Sequence, residues 1–171
     1  MGKVLTRDTV ITDENDPRRK LLLAAQERLA EAGTLADIIA IVRSAARSIC
    51  SADGVTFVLG EDGKCHYIEE DAIGPLWKGQ KFPMETCISG WCMKHAQTAA
   101  IEDIFADDRI PHDVYRKTFV KSLVMVPVGK DHPLAAMGTY WRDKQAFDDQ
   151  DVANVEALAA HVAEAMKRVG G

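Results

Sequence analysis

The tripeptide Glu61-Asp62-Gly63 is the feature that most constrains this chain. It separates two segments that read as strands, Gly54-Val-Thr-Phe-Val-Leu59 and Lys64 to Glu69. β-Branched and aromatic residues fit a pleated, half-buried surface. Asp-Gly supplies the positive φ angles that a tight hairpin turn demands. Strands joined so closely must run antiparallel, because a parallel pair needs a crossover of about a dozen residues or more. The pattern recurs later, where segments 121–128 and 134–141 flank the turn Gly129-Lys-Asp-His132. The two hairpins together predict one antiparallel sheet.

Helical signals bracket that sheet. Asp16 is placed as an N-cap, Pro17 fits the first helical position, and Gly33 is placed to end the helix. Leu22, Ala25, Leu29 and Ala32 form a narrow stripe on it. A second helix over about 35–50 starts from Thr34 with Asp37 three residues on. It carries Ile38, Val42, Ala45 and Ile49 at helical spacing. The last helix opens on Asp148, with Asp151 at its third position and Phe147 able to staple onto Val152. Val152, Val155, Ala159, Val162 and Met166 then run close to a heptad seam. The fold class is therefore α+β, with helices at both ends of an antiparallel sheet. The stripes Leu22/Leu29 and Val155/Val162/Met166 predict a homodimer through the terminal helices.

Composition excludes several function classes. A chain of 171 residues fits one domain with a real core. A net charge of −5 offers no basic field for nucleic acid. No apolar run is long enough to span a membrane and the start has no secretory pattern, so a cytoplasmic protein is expected. In that compartment Cys50, Cys65, Cys87 and Cys92 read as reduced thiols.

Residues 77–128 give the most specific order of elements. A loop with Phe82-Pro83 leads into a short helix containing Ser89-Gly90-Trp91. A strand ending in Ile101-Glu102-Asp103 follows, then a polar loop, then the apolar strand Ser122-Leu-Val-Met-Val-Pro-Val128. This order resembles the GAF domain family, and within it the sensory modules of bacterial two-component histidine kinases. The resemblance implies a six-stranded sheet over residues 34–168, with 17–33 as a connector helix. Residues 1–16 are expected to be a flexible segment, and 169–171 a tail or linker start of a module within a longer protein. It also implies a ligand cavity between the polar loop and the sheet. Loops on a rigid scaffold carry binding residues disproportionately. The candidate pocket residues are Phe82, Cys87, Trp91, Cys92, His95, Asp103, His112 and Tyr115.

The chemistry of those residues narrows the options. Cys87, Cys92 and His95 suggest a metal site, but C-x4-C-x2-H lacks the usual C-x-x-C pair and a fourth ligand, so no zinc is expected. Haem on His95 or His112 would rest on a lone ligand, and none is expected. Bilin-binding relatives carry their cysteine where this chain has Pro111-His112, while Cys65-His66 lies on the second strand, so covalent bilin is not expected either. The signature of cyclic-nucleotide GAF domains is absent. GAF-type free methionine sulfoxide reductases use thiolates; the resemblance places their cysteines near Ser89 and His112, which carry no sulfur. The expectation is a non-catalytic sensory module that binds a small ligand or partner, with no enzyme activity in this chain. The alternatives are a thiol-dependent reductase and a module that only dimerises.

Overall fold

The computed structural model describes residues 15–170. Most of the expected flexible segment at 1–16 lies outside the described residues, as does Gly171. Helices α1 (Pro17–Glu31) and α2 (Leu35–Cys50) lead into the hairpin β1 (Gly54–Glu61) and β2 (Lys64–Ala72). A short strand β3 (Lys81–Pro83), a 3₁₀ turn (Met84–Thr86) and helix α3 (Ile88–His95) follow. Next come β4 (Ala99–Ile101), a 3₁₀ turn (Ile104–Ala106) and the one-turn helix α4 (His112–Tyr115). Strands β5 (Ser122–Pro127) and β6 (Ala135–Trp141) and helix α5 (Asp149–Gly170) complete the order. The six strands form a single sheet, β3-β2-β1-β6-β5-β4. Every neighbouring pair is antiparallel.

Local chemistry accounts for the boundaries. Glu61 pairs with Lys64 across a two-residue turn, in which Asp62 and Gly63 take φ of 52° and 75°. The Asp16 carboxylate accepts from the Arg18 N–H at 2.9 Å to cap α1. That helix stops at Glu31 with an extended C-cap at Ala32, so Gly33 is not used as a left-handed stop. The Gly33 N–H instead donates to Asp37, while the Asp37 N–H donates to Thr34 Oγ1. At the start of α5 the capping box is reciprocal: the Asp151 N–H donates to Asp148 at 2.8 Å and the Asp148 N–H to Asp151 at 3.1 Å. Helix α5 runs through Gly170, so residues 169 and 170 are helical.

The strands alternate strictly between two cores. Val55 and Phe57 of β1, Val124 and Val126 of β5, and Met137 and Trp141 of β6 face a layer made by α1, α2 and α5. Val58, Leu123, Met125, Ala136 and Tyr140 face the other side, toward α3, α4 and the loops.

This arrangement corrects the expected dimer seam. Leu22, Leu29, Val155 and Val162 are all buried within the chain's own helical core, and Met166 packs against it. An amphipathic helix ordinarily buries its stripe within its own domain, and both terminal helices do so. A charge on Leu22 or Val155 therefore disrupts the fold itself.

Candidate functional site

The second face of the sheet carries the chemistry. Strand β2 brings Tyr67 and Cys65 into its interior, and β3 sets Phe82 opposite Cys65 in the register. The chain then turns tightly into α3. A Cβ on Gly90 would meet the Met84 carbonyl carbon at 2.7 Å, so only glycine lets the first turn of α3 sit directly on the 3₁₀ backbone. That approach fixes Cys87, at the N-cap position of α3, beside Cys65.

A loop held by one carboxylate closes the site from above. Glu70 accepts three successive backbone N–H groups, from Leu76 at 3.0 Å and from Trp77 and Lys78 at 2.8 Å each. The clamp sets the Trp77 ring 5.5 Å from Tyr67, 4.7 Å from Tyr115 and 5.6 Å from Tyr140. Phe82 stands edge-on to Tyr67 at 5.7 Å. Tyr67, Trp77, Phe82 and Tyr115 thus wall a small cavity of about 30 Å³. Thr86, Cys87 and Ile88 from the α3 entry, and Pro111 and Val114 around α4, complete the lining.

One thiol, Cys87, lines the cavity, and a second, Cys65, lies near it without reaching the lining. Cys65 is fully buried and Cys87 is 7% exposed. The Cys65 thiol is lowered to about 7, chiefly by its hydrogen bond with Cys87; the Ser89 hydroxyl and the Gly90 N–H add to this and burial opposes it. Cys87 is pushed up by the same bond and by burial. The pair therefore gives up its first proton readily and holds its second. Ser89 also bonds the Tyr67 hydroxyl at 3.1 Å, and the Cys87 thiol donates to the Pro83 carbonyl at 3.3 Å. Burial pushes the Tyr67 and Tyr115 phenols well up, which keeps both neutral.

The sequence-predicted residues divide. Phe82, Cys87 and Tyr115 line the cavity. Trp91 does not; it stacks on His95 at 4.6 Å and under Arg109 at 4.4 Å, beside an outer groove. Cys92 is buried behind the helix, donates to the Met125 carbonyl at 3.4 Å and is pushed up to about 12 by burial. His95 Nδ1 lies 2.9 Å from the Trp91 carbonyl. Asp103 caps the 3₁₀ turn through the Phe105 N–H at 3.1 Å and pairs with Lys144. His112 meets the Asp107 carbonyl at 2.9 Å. Cys87, Cys92 and His95 thus face three different ways, and no group of three metal-ligating side chains exists among the described residues. Sequence reasoning missed Cys65, Tyr67 and Trp77 as site residues. The one signal for Cys65 was a thiol on an inward-facing position of a predicted strand.

Among the described residues no helix is long and apolar enough to cross a membrane. The GAF domain profile matches residues 32–167. The chain belongs to the GAF domain family. No curated protein matches its sequence. Solved structures share the GAF fold at low identity. A free methionine-R-sulfoxide reductase from Neisseria meningitidis, solved with its substrate, superposes with a TM-score of 0.77 at 13% identity, over 99% of this chain and 95% of that one. The GAF domain of an Acinetobacter phosphoenolpyruvate-protein phosphotransferase gives 0.76 at 12% identity, over 91% and 96%. Residues 122–287 of a methyl-accepting chemotaxis protein give 0.71 at 15% identity, over 88% and 98%.

These likenesses correct the expectation that this chain holds no enzyme activity. That expectation rested on the lack of sulfur at Ser89 and His112 and on GAF domains usually binding and signalling. A reductase with the same fold along nearly the whole chain shows that the fold is no argument against catalysis.

Proposed function

We propose that this GAF domain is a thiol-dependent reductase of a small sulfoxide. The observation that supports this most is Cys87 in the wall of an aromatic cavity, with the buried thiol of Cys65 close enough to perturb it. A reactive thiolate needs a low pKa and access to substrate, and the pair divides those properties between two sulfurs. Cys87 attacks the sulfoxide sulfur and a proton moves to its oxygen. The hydroxyl then passes from the substrate sulfur to Cys87 Sγ as the bond between the two sulfurs breaks, releasing the sulfide and leaving Cys87 as a sulfenic acid. The Cys65 thiol then displaces water to form a disulfide. Sulfoxide plus two thiols thereby give sulfide, disulfide and water, and an external dithiol restores the pair. The Neisseria relative's substrate class makes free methionine sulfoxide one compound to test.

The decisive experiment supplies a panel of sulfoxides with a dithiol reductant and follows sulfide release. Turnover is expected, together with a Cys65–Cys87 disulfide by mass spectrometry once the reductant is withheld. Cys87→Ser is expected to abolish both while Cys92→Ser keeps them. Turnover that survives Cys87→Ser sinks the proposal.

A second reading is favoured by the layer of α1, α2 and α5 on the sheet face opposite the cavity. Here the domain is a cytoplasmic sensory module of a signalling protein such as a bacterial two-component histidine kinase. Occupation of the cavity shifts the sheet between two arrangements that this layer reports to an output domain. Two copies would pair through the outer side of α1, where Leu21 and Leu23 are 43% and 42% exposed. Light scattering on a Leu21→Glu/Leu23→Glu variant tests that pairing; an unchanged mass rules the surface out.

A further inference from the structure

An outer groove of about 640 Å³ runs along α3, and no residue of its lining also lines the thiol cavity. That volume is ample for a small ligand. Its floor is apolar and polarizable. The Met84 methyl and the Met93 sulfur converge over Gly60, where a Cβ would meet each at 3.1 Å. Half-buried Trp91 gives a wall, and the Arg109 guanidinium lies 4.4 Å from its ring centroid without joining the lining. Leu134, whose carbonyl accepts the Gly60 N–H at 2.8 Å, is 69% exposed at the rim. These four side chains line one exposed groove, the kind of surface that marks a binding site.

Charge is sorted along the same groove. The Met84 N–H donates to the Gly63 carbonyl at 3.0 Å, which ties the β1–β2 turn to the 3₁₀ turn and brings Asp62 and Glu85 to one end. Lys94 stands in the last turn of α3, toward the other end. Nearby charges are paired, Glu61 with His66, Asp103 with Lys144 and Asp107 with Arg109. Asp62, Glu85 and Lys94 are exposed and form no ion pair among the described residues. The eight residues of α3 span about 12 Å at about 1.5 Å per residue. An extended tripeptide has nearly that length between its ammonium and its carboxylate, at about 3.5 Å per residue. The helix dipole opposes this polarity with about half a charge at each end, which the full side-chain charges outweigh.

We infer that this groove binds a short apolar peptide with free ends. Its ammonium lies between Asp62 and Glu85, its carboxylate at Lys94, and its side chains against Met84, Met93, Trp91 and Leu134. The charged ends stay where water still reaches them, so the complex buries no ion. Unbranched thioethers adapt to varied side chains, so the groove reads length and free ends more than side-chain identity. The assignment is independent of the thiol chemistry.

The test titrates the wild-type chain with the tripeptide Ala-Phe-Leu, by calorimetry and by NMR of the groove amides, among them Gly60, Gly63 and Gly90. Saturable binding with shifts at those amides is expected. Capping the peptide by acetylation and amidation should weaken it about fivefold or more, the worth of two exposed ion pairs. Triglycine, which has no apolar side chains, should bind about tenfold or more weakly. Asp62→Asn with Glu85→Gln should reproduce the effect of acetylation and leave the acetylated peptide unaffected; Asn tolerates the φ of 52° that Asp62 adopts. Leu134→Ser should weaken binding about threefold without moving the melting temperature, because the side chain is mostly exposed. Absence of saturable binding overturns the inference, as does a capped peptide or triglycine that binds as well as Ala-Phe-Leu. Shifts confined to the thiol cavity also overturn it. Self-association by light scattering that Leu134→Ser abolishes, with no peptide bound, assigns the groove to a second copy instead.

Discussion

The two faces of the sheet are built from the same alternating strands yet closed in opposite ways. On one face, α1, α2 and α5 cover it with aliphatic side chains such as Leu29, Ile38, Leu158 and Val162, all at most 1% exposed. On the other, α3 has eight residues and α4 four, and loops complete the cover. Long amphipathic helices can close an apolar surface without leaving space. Short elements cannot, and the gaps between them hold polar networks and a cavity. The difference assigns stability chiefly to the helical face and chemistry to the loop face.

The sharpest way to break that division is to open the helical face. Leu158→Ala is expected to cost about 2–5 kcal/mol, as a buried leucine leaves a cavity that relaxes only in part. Urea unfolding measures it, and wherever the variant stays folded its cavity thiols should react with iodoacetamide as in wild type. A matching loss of thiol reactivity in folded protein would show the faces to be coupled. Next in size is Gly90→Ala on the loop face. Its Cβ would meet the Met84 backbone, and forcing the two apart is expected to cost about 1–3 kcal/mol. Here thiol reactivity should fall even in folded protein, because Cys87 loses its position beside Cys65.

The pH dependence of the thiols sharpens the contrast within the loop face. Only the deprotonated pair reacts, and the Cys65 thiol is lowered to about 7. The alkylation rate is therefore expected to rise roughly tenfold between pH 6 and pH 8 and then level off. Cys92, pushed up to about 12, should stay unmodified over that span. A rate still climbing above pH 8.5 would show that the pair is not activated. The smallest effect returns to the helical face: Asp148→Ala removes half of the α5 capping box and should cost about 1 kcal/mol by thermal or urea unfolding, with no change in thiol reactivity.

Much of the scaffold was legible because its signals are local. The Asp62-Gly63 turn, the Asp16 and Thr34 caps and the Asp148/Asp151 box each depend on residues within four positions. The hairpins then imposed the antiparallel sheet. The dimer seam was misjudged because helical periodicity shows that a stripe must be buried but not against what. The site was legible only in part. Of the residues singled out, Phe82, Cys87 and Tyr115 line the cavity, whereas Trp91 and Cys92 share a helix with Ile88 of its lining yet point away from it.

What the sequence determined by itself is the fold class, the family and the caps that start its helices, since each follows from spacing along the chain. What only the tertiary structure decided is the pairing of Cys65 with Cys87, 22 positions apart, and the closure of Trp77 over them by Glu70. The physical reason is register. Cys65 reaches the α3 N-terminus only because β3 pairs with β2 opposite it and because Gly90 lets that helix rest on the Met84 backbone. No periodicity encodes that meeting.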